Sequence, residues 1–361
     1  MAIDLEIIES WTDYSALASG NCPMTTYWVF GGTSNMSLAD STIEPGNRCL
    51  KLAGGSFLGI ASPVRMFKAP VSKFTLAMGF VYIDQPTPDG GSQAYPFRIV
   101  DGSGAVQFYW AVNSVGKLII AGEGGTILAT SEENLTYSTI YRICMRVEAT
   151  AANLVNIAVS INGYDDPGLT KTGIDLQDNT AGTAVFGGVR FQATNDYPGG
   201  NSGNIEVLDL VVGTGECIDW GPVEVIEGPP DVDIVKEWTP LSGTDNFAMV
   251  DEAQANGDTD YNSTEGIGNK DIFGFSDPEV PEKIVALGMV SWNKKEDSAT
   301  RRYRHILRVA SVDYPGDDIF CAESYTRRVD GWTDNPNTAA RVGLRAEDII
   351  ARIVHTSDSK N

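Results

Sequence analysis

Two histidines, His305 and His355, are all the imidazole that the 361 residues contain. A nucleophilic triad or a histidine metal site therefore has almost no material to use. We read His305 as packing within a strand and His355 as solvent-exposed near the C-terminus. The five cysteines, Cys22, Cys49, Cys144, Cys217 and Cys321, are odd in number and widely spaced, with no C-x-x-C pair, so neither a zinc nor a redox motif is supported. They read as small buried hydrophobes, with a Cys22 to Cys49 bridge or an intermolecular cross-link as the alternative. No G-x-x-x-x-G-K-[ST] phosphate loop is present. A retaining glycosidase needs two carboxylates about 5 Å apart facing one cleft, which on a strand requires even spacing. Glu206-Val-Leu-Asp209 has odd spacing and should send its acids to opposite sides. The expectation is a chain that is not an enzyme, with no catalytic residues and no metal site.

Aromatic and loop-acid chemistry remains. Tyr27, Trp28, Tyr95, Phe108, Tyr109, Trp110 and Tyr197 fall in or beside loops and strand ends, where rings stack on sugars or anchor protein contacts. Tyr95, Tyr109, Trp110 and Tyr197 are the candidate glycan or partner contacts, with core filling as the other reading. Tyr109 and Trp110 are adjacent, so one should face outward from its sheet and the other inward. No cofactor is expected apart from Ca2+, for which Asp84, Asp89, Asp165, Asp166, Asp258 and Asp260 are candidate ligands. Asx turns account for the same acids equally well.

The elements that position these residues are strands. From about residue 27, short runs with period-two alternation recur between Gly, Asp, Asn and Pro clusters. Among them are Lys73-Phe-Thr-Leu-Ala-Met-Gly-Phe-Val-Tyr, Ala105-Val-Gln-Phe-Tyr-Trp-Ala-Val and Val185-Phe-Gly-Gly-Val-Arg-Phe. Asp101-Gly, Asn162-Gly and Pro198-Gly-Gly supply turns. Tyr141, Ile143, Met145 and Val147 should line one face of a strand, and Ile157, Val159 and Ile161 the matching face of its hairpin partner. The pattern stops at Gly221-Pro, and the Pro- and acid-rich stretch 223–235 has linker character. The expected organisation is an N-terminal segment (1–26), a β-sandwich (27–222), a linker (223–235) and a smaller C-terminal β-sandwich (236–361).

In the second sandwich, Phe247-Ala-Met-Val, Glu282 to Trp292 and Arg302 to Ser311 read as strands. The last of these places Tyr303, His305, Leu307 and Val309 on one side and Arg302, Arg304, Ile306 and Arg308 on the other. Arg301, Arg302, Arg304 and Arg308 are candidate contacts to a neighbouring subunit or acidic partner, a solvated basic face being the alternative. Residues 346–354 fit an edge strand better than a helix.

Net charge is −22, so the surface repels phosphate backbones and anionic lipid, and no nucleic-acid partner is expected. Residues 227–282 hold 14 acids and 2 bases, whereas 283–361 hold 11 acids and 13 bases. That asymmetry can align copies in a homo-oligomer. The start, Met-Ala-Ile-Asp-Leu-Glu, has no signal-peptide pattern, and no apolar run is long enough for membrane insertion. Synthesis in a cytoplasm is the expectation.

Residues 27–222 resemble the concanavalin A-like, or laminin-G-like, jelly-roll domain of phage structural proteins. The likeness rests on Asn47-Arg-Cys-Leu-Lys-Leu, Phe74-Thr-Leu-Ala-Met-Gly-Phe, Phe97-Arg-Ile-Val-Asp-Gly-Ser-Gly, Ile157-Ala-Val-Ser-Ile-Asn-Gly and Ile205-Glu-Val-Leu-Asp-Leu-Val-Val-Gly. Residues 232–361 resemble a C-terminal module of phage tail and virion proteins through Glu237-Trp-Thr-Pro-Leu-Ser-Gly, Gly268-Asn-Lys-Asp-Ile-Phe-Gly-Phe and Gly331-Trp-Thr-Asp-Asn-Pro. The resemblance implies an all-β, tail-associated virion structural protein that contacts other virion proteins. A receptor-binding adhesin for host cell-surface glycan and a capsid decoration protein are the alternatives it leaves, with a polysaccharide depolymerase behind them.

Overall fold

The computed structural model describes all residues except 1–3, 12–13, 15–23, 25–27, 29–35, 45–47, 53–62, 84–93, 114, 123–124, 152, 177–184, 192–204, 227, 253–254, 276–285, 310–311, 334–357 and 360–361. Among the described residues the fold is all-β, with only short 3-10 turns besides strands. Two compact units emerge: residues 1–11 with 28–225, and residues 12–27 with 226–361.

The first unit is a jelly-roll β-sandwich. Its strands are β1 (Asp4–Glu9), β2 (Met36–Asp40), β3 (Arg48–Leu52), β4 (Val64–Val71), β5 (Lys73–Tyr82), β6 (Ala94–Val100), β7 (Val106–Val112) and β8 (Lys117–Gly122). There follow β9 (Ile127–Asn134), β10 (Ile140–Ala149), β11 (Leu154–Ile161), β12 (Tyr164–Asp165), β13 (Lys171–Asp175), β14 (Phe186–Phe191) and β15 (Ile205–Thr214). Nine strands form one sheet in the order β12-β11-β10-β5-β15-β3-β2, with β1 added to β15 and β13 to β11. Six form the other, β4-β14-β6-β7-β8-β9.

Alternating apolar residues from both sheets meet in an aromatic core. Phe80 of β5 lies edge-on to Trp110 of β7 at 5.0 Å, and Phe74 to Phe186 of β14 at 5.1 Å. Each such ring contributes about 1.5–3 kcal/mol by leaving water. The hairpin expected around residue 150 forms with the anticipated faces matched, Ile143 opposite Ile161, Met145 opposite Val159 and Val147 opposite Ile157. Between β11 and β12, Asn162 (φ 52°) and Gly163 (φ 85°) take the paired left-handed conformations of a type I′ turn.

The second unit is also all-β but consists of short ribbons. Its strands are β16 (Pro230–Lys236), β17 (Thr239–Pro240), β18 (Asn262–Ser263), β19 (Asp271–Phe275), β20 (Leu287–Asn293) and β21 (Arg301–Tyr303). Then come β22 (Ile306–Val309), β23 (Val312–Pro315), β24 (Ile319–Phe320), β25 (Thr326–Trp332) and β26 (Asp358–Ser359). They pair as β16-β19, β17-β18, β20-β25, β24-β21-β26 and β22-β23.

Four sequence expectations change. The N-terminal segment is not separate, because β1 pairs with β15 in the first unit while Tyr14 packs edge-on against Trp292 in the second. The stretch 223–235 is not wholly linker, since β16 starts at Pro230 and pairs with β19. Phe247–Met249 is a 3-10 turn, because the Asp233 carboxylate accepts the N–H groups of Asn246 and Phe247, both at 2.8 Å, and tightens the chain there. The strand expected over 302–311 breaks at Arg304-His305 into β21 and β22. The expected edge strand over 346–354 lies outside the described residues.

Candidate functional site

Strand alternation and cross-strand register place a row of polar side chains on the outer face of the six-stranded sheet. Arg190 of β14 is directly opposite Arg98 of β6, and Arg98 is directly opposite Tyr109 of β7. Directly opposed residues share a face, so the three form one line across adjacent strands. The Arg98 guanidinium lies 6.0 Å from the centre of the Tyr109 ring, within reach of a cation–π attraction. Around them the face is apolar and small, with Val100, Val106, Ala111, Ile119 and Ala121 clustered on Tyr109.

The turn joining β6 to β7 positions the outer arginine. Asp101 Oδ1 accepts from the backbone N–H of Ser103 at 2.8 Å and of Ala105 at 3.0 Å. Burial opposes the charge on Asp101, but these bonds and the Ser103 hydroxyl outweigh it and hold the carboxyl below its usual range. The turn presents the Gly104 carbonyl, which accepts from Arg190 Nη2 at 2.9 Å. Gly187 lets β14 run against this turn, because a Cβ there would collide with the Asp101 backbone. Arg190 Nε is buried and has no hydrogen-bond partner among the described residues. Arginines directly opposed on neighbouring strands are close enough to act on one ligand, and a carboxylate or sulfate accepts charge-assisted hydrogen bonds from guanidinium groups.

The sequence candidates divide. Tyr109 points away from the sandwich core and Trp110 into it, as adjacent positions on a strand must, although Tyr109 too is buried, 6% exposed. Trp110 is thereby removed as a contact residue, being 3% exposed and stacked on Phe97 at 5.7 Å. Tyr95 belongs to β6, but its side chain, like the whole of Tyr197, lies outside the described residues. The four basic candidates all spend their charge within the chain, which corrects their reading as an open partner surface. Arg301 pairs with Asp297 at 2.6 Å, Arg302 and Arg304 share Asp318, and Arg308 pairs with Asp313.

The calcium candidates are similarly engaged. Asp166 accepts backbone N–H groups from Gly168, Leu169 and Glu132, Asp165 pairs with Arg146, Asp258 with Lys294, and Asp260 accepts from Asn256. Among the described residues no three His, Cys, Asp or Glu side chains are grouped to hold a metal ion; Asp84 and Asp89 lie outside them. Cys49, Cys144, Cys217 and Cys321 are free thiols. Burial pushes Cys49 up to about 12 and Cys144 to about 11, so these two stay protonated and unreactive at neutral pH.

Strict alternation also misplaced Glu206 and Asp209. The register of β15 against β5 shifts between Val207 and Leu210, and both acids reach the outer face of the nine-stranded sheet. There Asp209 pairs with Arg142. Glu206 accepts from Ser41 at 2.8 Å and from Thr42, and pairs with Lys51 at 3.1 Å. Sequence reasoning passed over Arg98 and Arg190. The signal that could have found them is the even placement of one arginine in each of two strands otherwise apolar, Phe97-Arg-Ile and Val189-Arg-Phe.

No family model matches the chain, and no curated protein matches it. Solved structures of similar fold include an alginate lyase in complex with an alginate tetrasaccharide, 15% identical, covering 60% of this chain and 100% of its own, with a TM-score of 0.42. Lectin II from Ulex europaeus is 12% identical and covers 60% and 100%, with a TM-score of 0.36. A Trypanosoma rangeli sialidase is 12% identical and covers 51% and 28%, with a TM-score of 0.32. The expectation of a chain that is not an enzyme is corrected by this set. Its members include a lyase and a sialidase, so resemblance of fold gives no ground for setting catalysis aside.

Proposed function

We propose that the chain is an adhesive component of a virion, seated on the tail, whose jelly roll holds an anionic glycan of the host surface on the outer face of the six-stranded sheet. The observation that carries this reading is the cross-strand row Arg190, Arg98, Tyr109, with Arg190 Nε buried and unbonded among the described residues. Arginine presents a planar fork suited to carboxylate or sulfate, and the Tyr109 ring, buried beneath it, backs the Arg98 guanidinium. On a chain of net charge −22, such a patch selects an anion locally while the rest of the surface repels nonspecific polyanions. Copies arranged about a symmetry axis multiply weak single contacts into firm attachment.

A glycan array of neutral, carboxylated and sulfated oligosaccharides tests the reading. The intact chain should retain acidic glycans over neutral ones, and Arg190→Ala should weaken retention about 10-fold or more, the worth of a lost charge-assisted hydrogen bond. Equal retention of neutral and acidic sugars, or an unchanged Arg190→Ala profile, would overturn it. Following retained glycans for new reducing ends or unsaturated products shows whether cleavage accompanies binding. Locating the chain in particles by cryo-electron microscopy tests the tail position separately.

A further inference from the structure

His305, read from sequence as a packing residue, is fully buried in the second unit and has both ring nitrogens engaged. Its Nε2 lies 2.7 Å from Ser291 Oγ and its Nδ1 lies 2.9 Å from Asp330 Oδ2. Three separate elements deliver these groups. Ser291 is on β20 and Asp330 on β25, an antiparallel pair in which Met289 opposes Asp330 and Ser291 opposes Arg328. By alternation Ser291 and Asp330 fall on one face. His305 sits in the break between β21 and β22 and bridges them.

The break that divides the expected strand is what turns the imidazole onto this face. It is fixed by the Gly316 N–H, which donates to the His305 carbonyl at 2.8 Å. A Cβ at Gly316 would stand 2.8 Å from Asp330 Oδ2, so glycine also keeps the carboxylate free to meet the ring. An Asp accepting from Nδ1–H leaves the lone pair on Nε2, directed at the serine hydroxyl, the tautomer a general base requires.

The serine oxygen has further polar company. Tyr303 OH is 3.0 Å from Ser291 Oγ and Asn293 Nδ2 is 3.1 Å from it. Burial holds the Tyr303 hydroxyl far above its usual range, so it remains a donor at neutral pH. Asn293 Oδ1 is buried with no partner among the described residues. A network serving only to fill a core would be expected to satisfy that oxygen. Here the donors Asn293 Nδ2 and Tyr303 OH converge beside a nucleophile, as groups stabilising a developing oxyanion do.

We propose that Ser291, half-buried, with His305 and Asp330 forms a nucleophile, base and orienter that hydrolyse esters of small carboxylic acids, acetyl esters being the smallest of that class. Ser291 Oγ bonds to the ester carbonyl carbon while its proton passes to His305 Nε2. The carbon–oxygen bond to the alcohol then breaks, and the alcohol leaves with the proton from Nε2. Water attacks the acyl-serine, giving its proton to Nε2, and the acid departs as Ser291 regains that proton. The sum is ester plus water to acid plus alcohol. Tyr303 and Asn293 donate to the carbonyl oxygen as it gains charge.

The test treats the full-length chain with a fluorophosphonate probe and maps the adduct by peptide mass spectrometry, alongside turnover of p-nitrophenyl acetate. The expected results are a single phosphonyl adduct on Ser291, complete loss of labelling and turnover in Ser291→Ala, and labelling slowed at least about 100-fold in Asp330→Asn, with thermal melting of each variant recorded. Intact chain that melts cooperatively yet gives no adduct on Ser291, and turns over the acetate no faster than Ser291→Ala, overturns the proposal. Because the adduct is mapped on the unaltered chain, a variant that fails to fold leaves the outcome decided.

Discussion

The two units solve the same problem with different interiors. In the first, β5 is buried on both faces from Phe74 to Tyr82, and Phe74, Phe80, Phe97, Phe108, Phe186 and Phe191 fill the space between two large sheets. In the second, the ribbons are too short to enclose such a layer, so buried polar groups such as Asn246, Asp271, His305 and Arg327 stand beside a smaller apolar interior, whereas those of the first unit, Glu9, Thr75 and Glu206 among them, accompany a large one. Asp271 accepts the N–H groups of Glu237 and Trp238, both at 3.0 Å, and an N–H of Asn246 at 2.8 Å. Nondirectional burial tolerates small errors of geometry, whereas a buried hydrogen-bond knot holds one arrangement or fails. The first interior is built for stability, and the second for fixed placement of polar groups, including Ser291, His305 and Asp330.

That contrast can be broken at four places. Trp110→Ala should show the largest effect, about 3–5 kcal/mol lost from the first unit, seen as earlier urea unfolding with faster hydrogen exchange confined to β5, β6, β7 and β14. Exchange that accelerates equally in residues 230–332 would deny that the units have separate interiors. Asp271→Ala should follow at about 3 kcal/mol from the second unit, because it strands buried N–H groups; exchange in β16 and β19 reports it, and Asp271→Asn should restore part of the loss.

Smaller is the acid limb of the first unit. Burial works against the Glu206 charge, but hydrogen bonds from Thr42, Ser41 and Lys51 prevail and hold its folded-state carboxyl below the usual range. Its contribution is therefore present above the unfolded carboxylate range and fades as pH falls through the lowered folded value. Melting temperature should drop on acidification from pH 5 towards pH 3, and Glu206→Gln should flatten that slope. Asp271 has the opposite sign, since burial raises its carboxyl; its contribution is full below the unfolded range and is lost as pH rises through the raised value. Last, Arg308→Ala, which removes a surface pair with Asp313, should cost less than about 1 kcal/mol by urea titration. A larger loss would mean the basic strand does more than pair with its own aspartate.

Legibility in the sequence tracked the same divide. Strands of the first unit announce themselves because one face is uniformly apolar, so β5, β7, β10 and β11 and the Asn162-Gly163 turn follow directly from period-two reading. Where a β-bulge shifts phase, as between Val207 and Leu210, counting residues inverts the face and hides that Glu206 and Asp209 come to the same side. In the second unit the deciding contacts are long-range and polar. Nothing local marks that Asp233 will curl Phe247–Met249 into a turn, or that Arg302 and Arg304 will share Asp318, although Asp297 and Asp313 lie within five residues of Arg301 and Arg308. His305 was legible as buried and illegible as bonded, since Ser291 and Asp330 meet it only after three separate strands assemble.

The path of the first 28 residues constrains how the molecule is made. β1 precedes every other strand described, yet its register partner for Asp4 is Thr214, and Tyr14 waits still longer for Trp292 and for Arg327, whose guanidinium carbon lies 5.0 Å from its ring centre. Closing such distant contacts is slow compared with forming neighbouring hairpins. The leading segment must therefore dock late, after both bodies have largely formed, and a break in the chain at Val225 would leave the second body lacking residues 12–27 while the first kept all of its own.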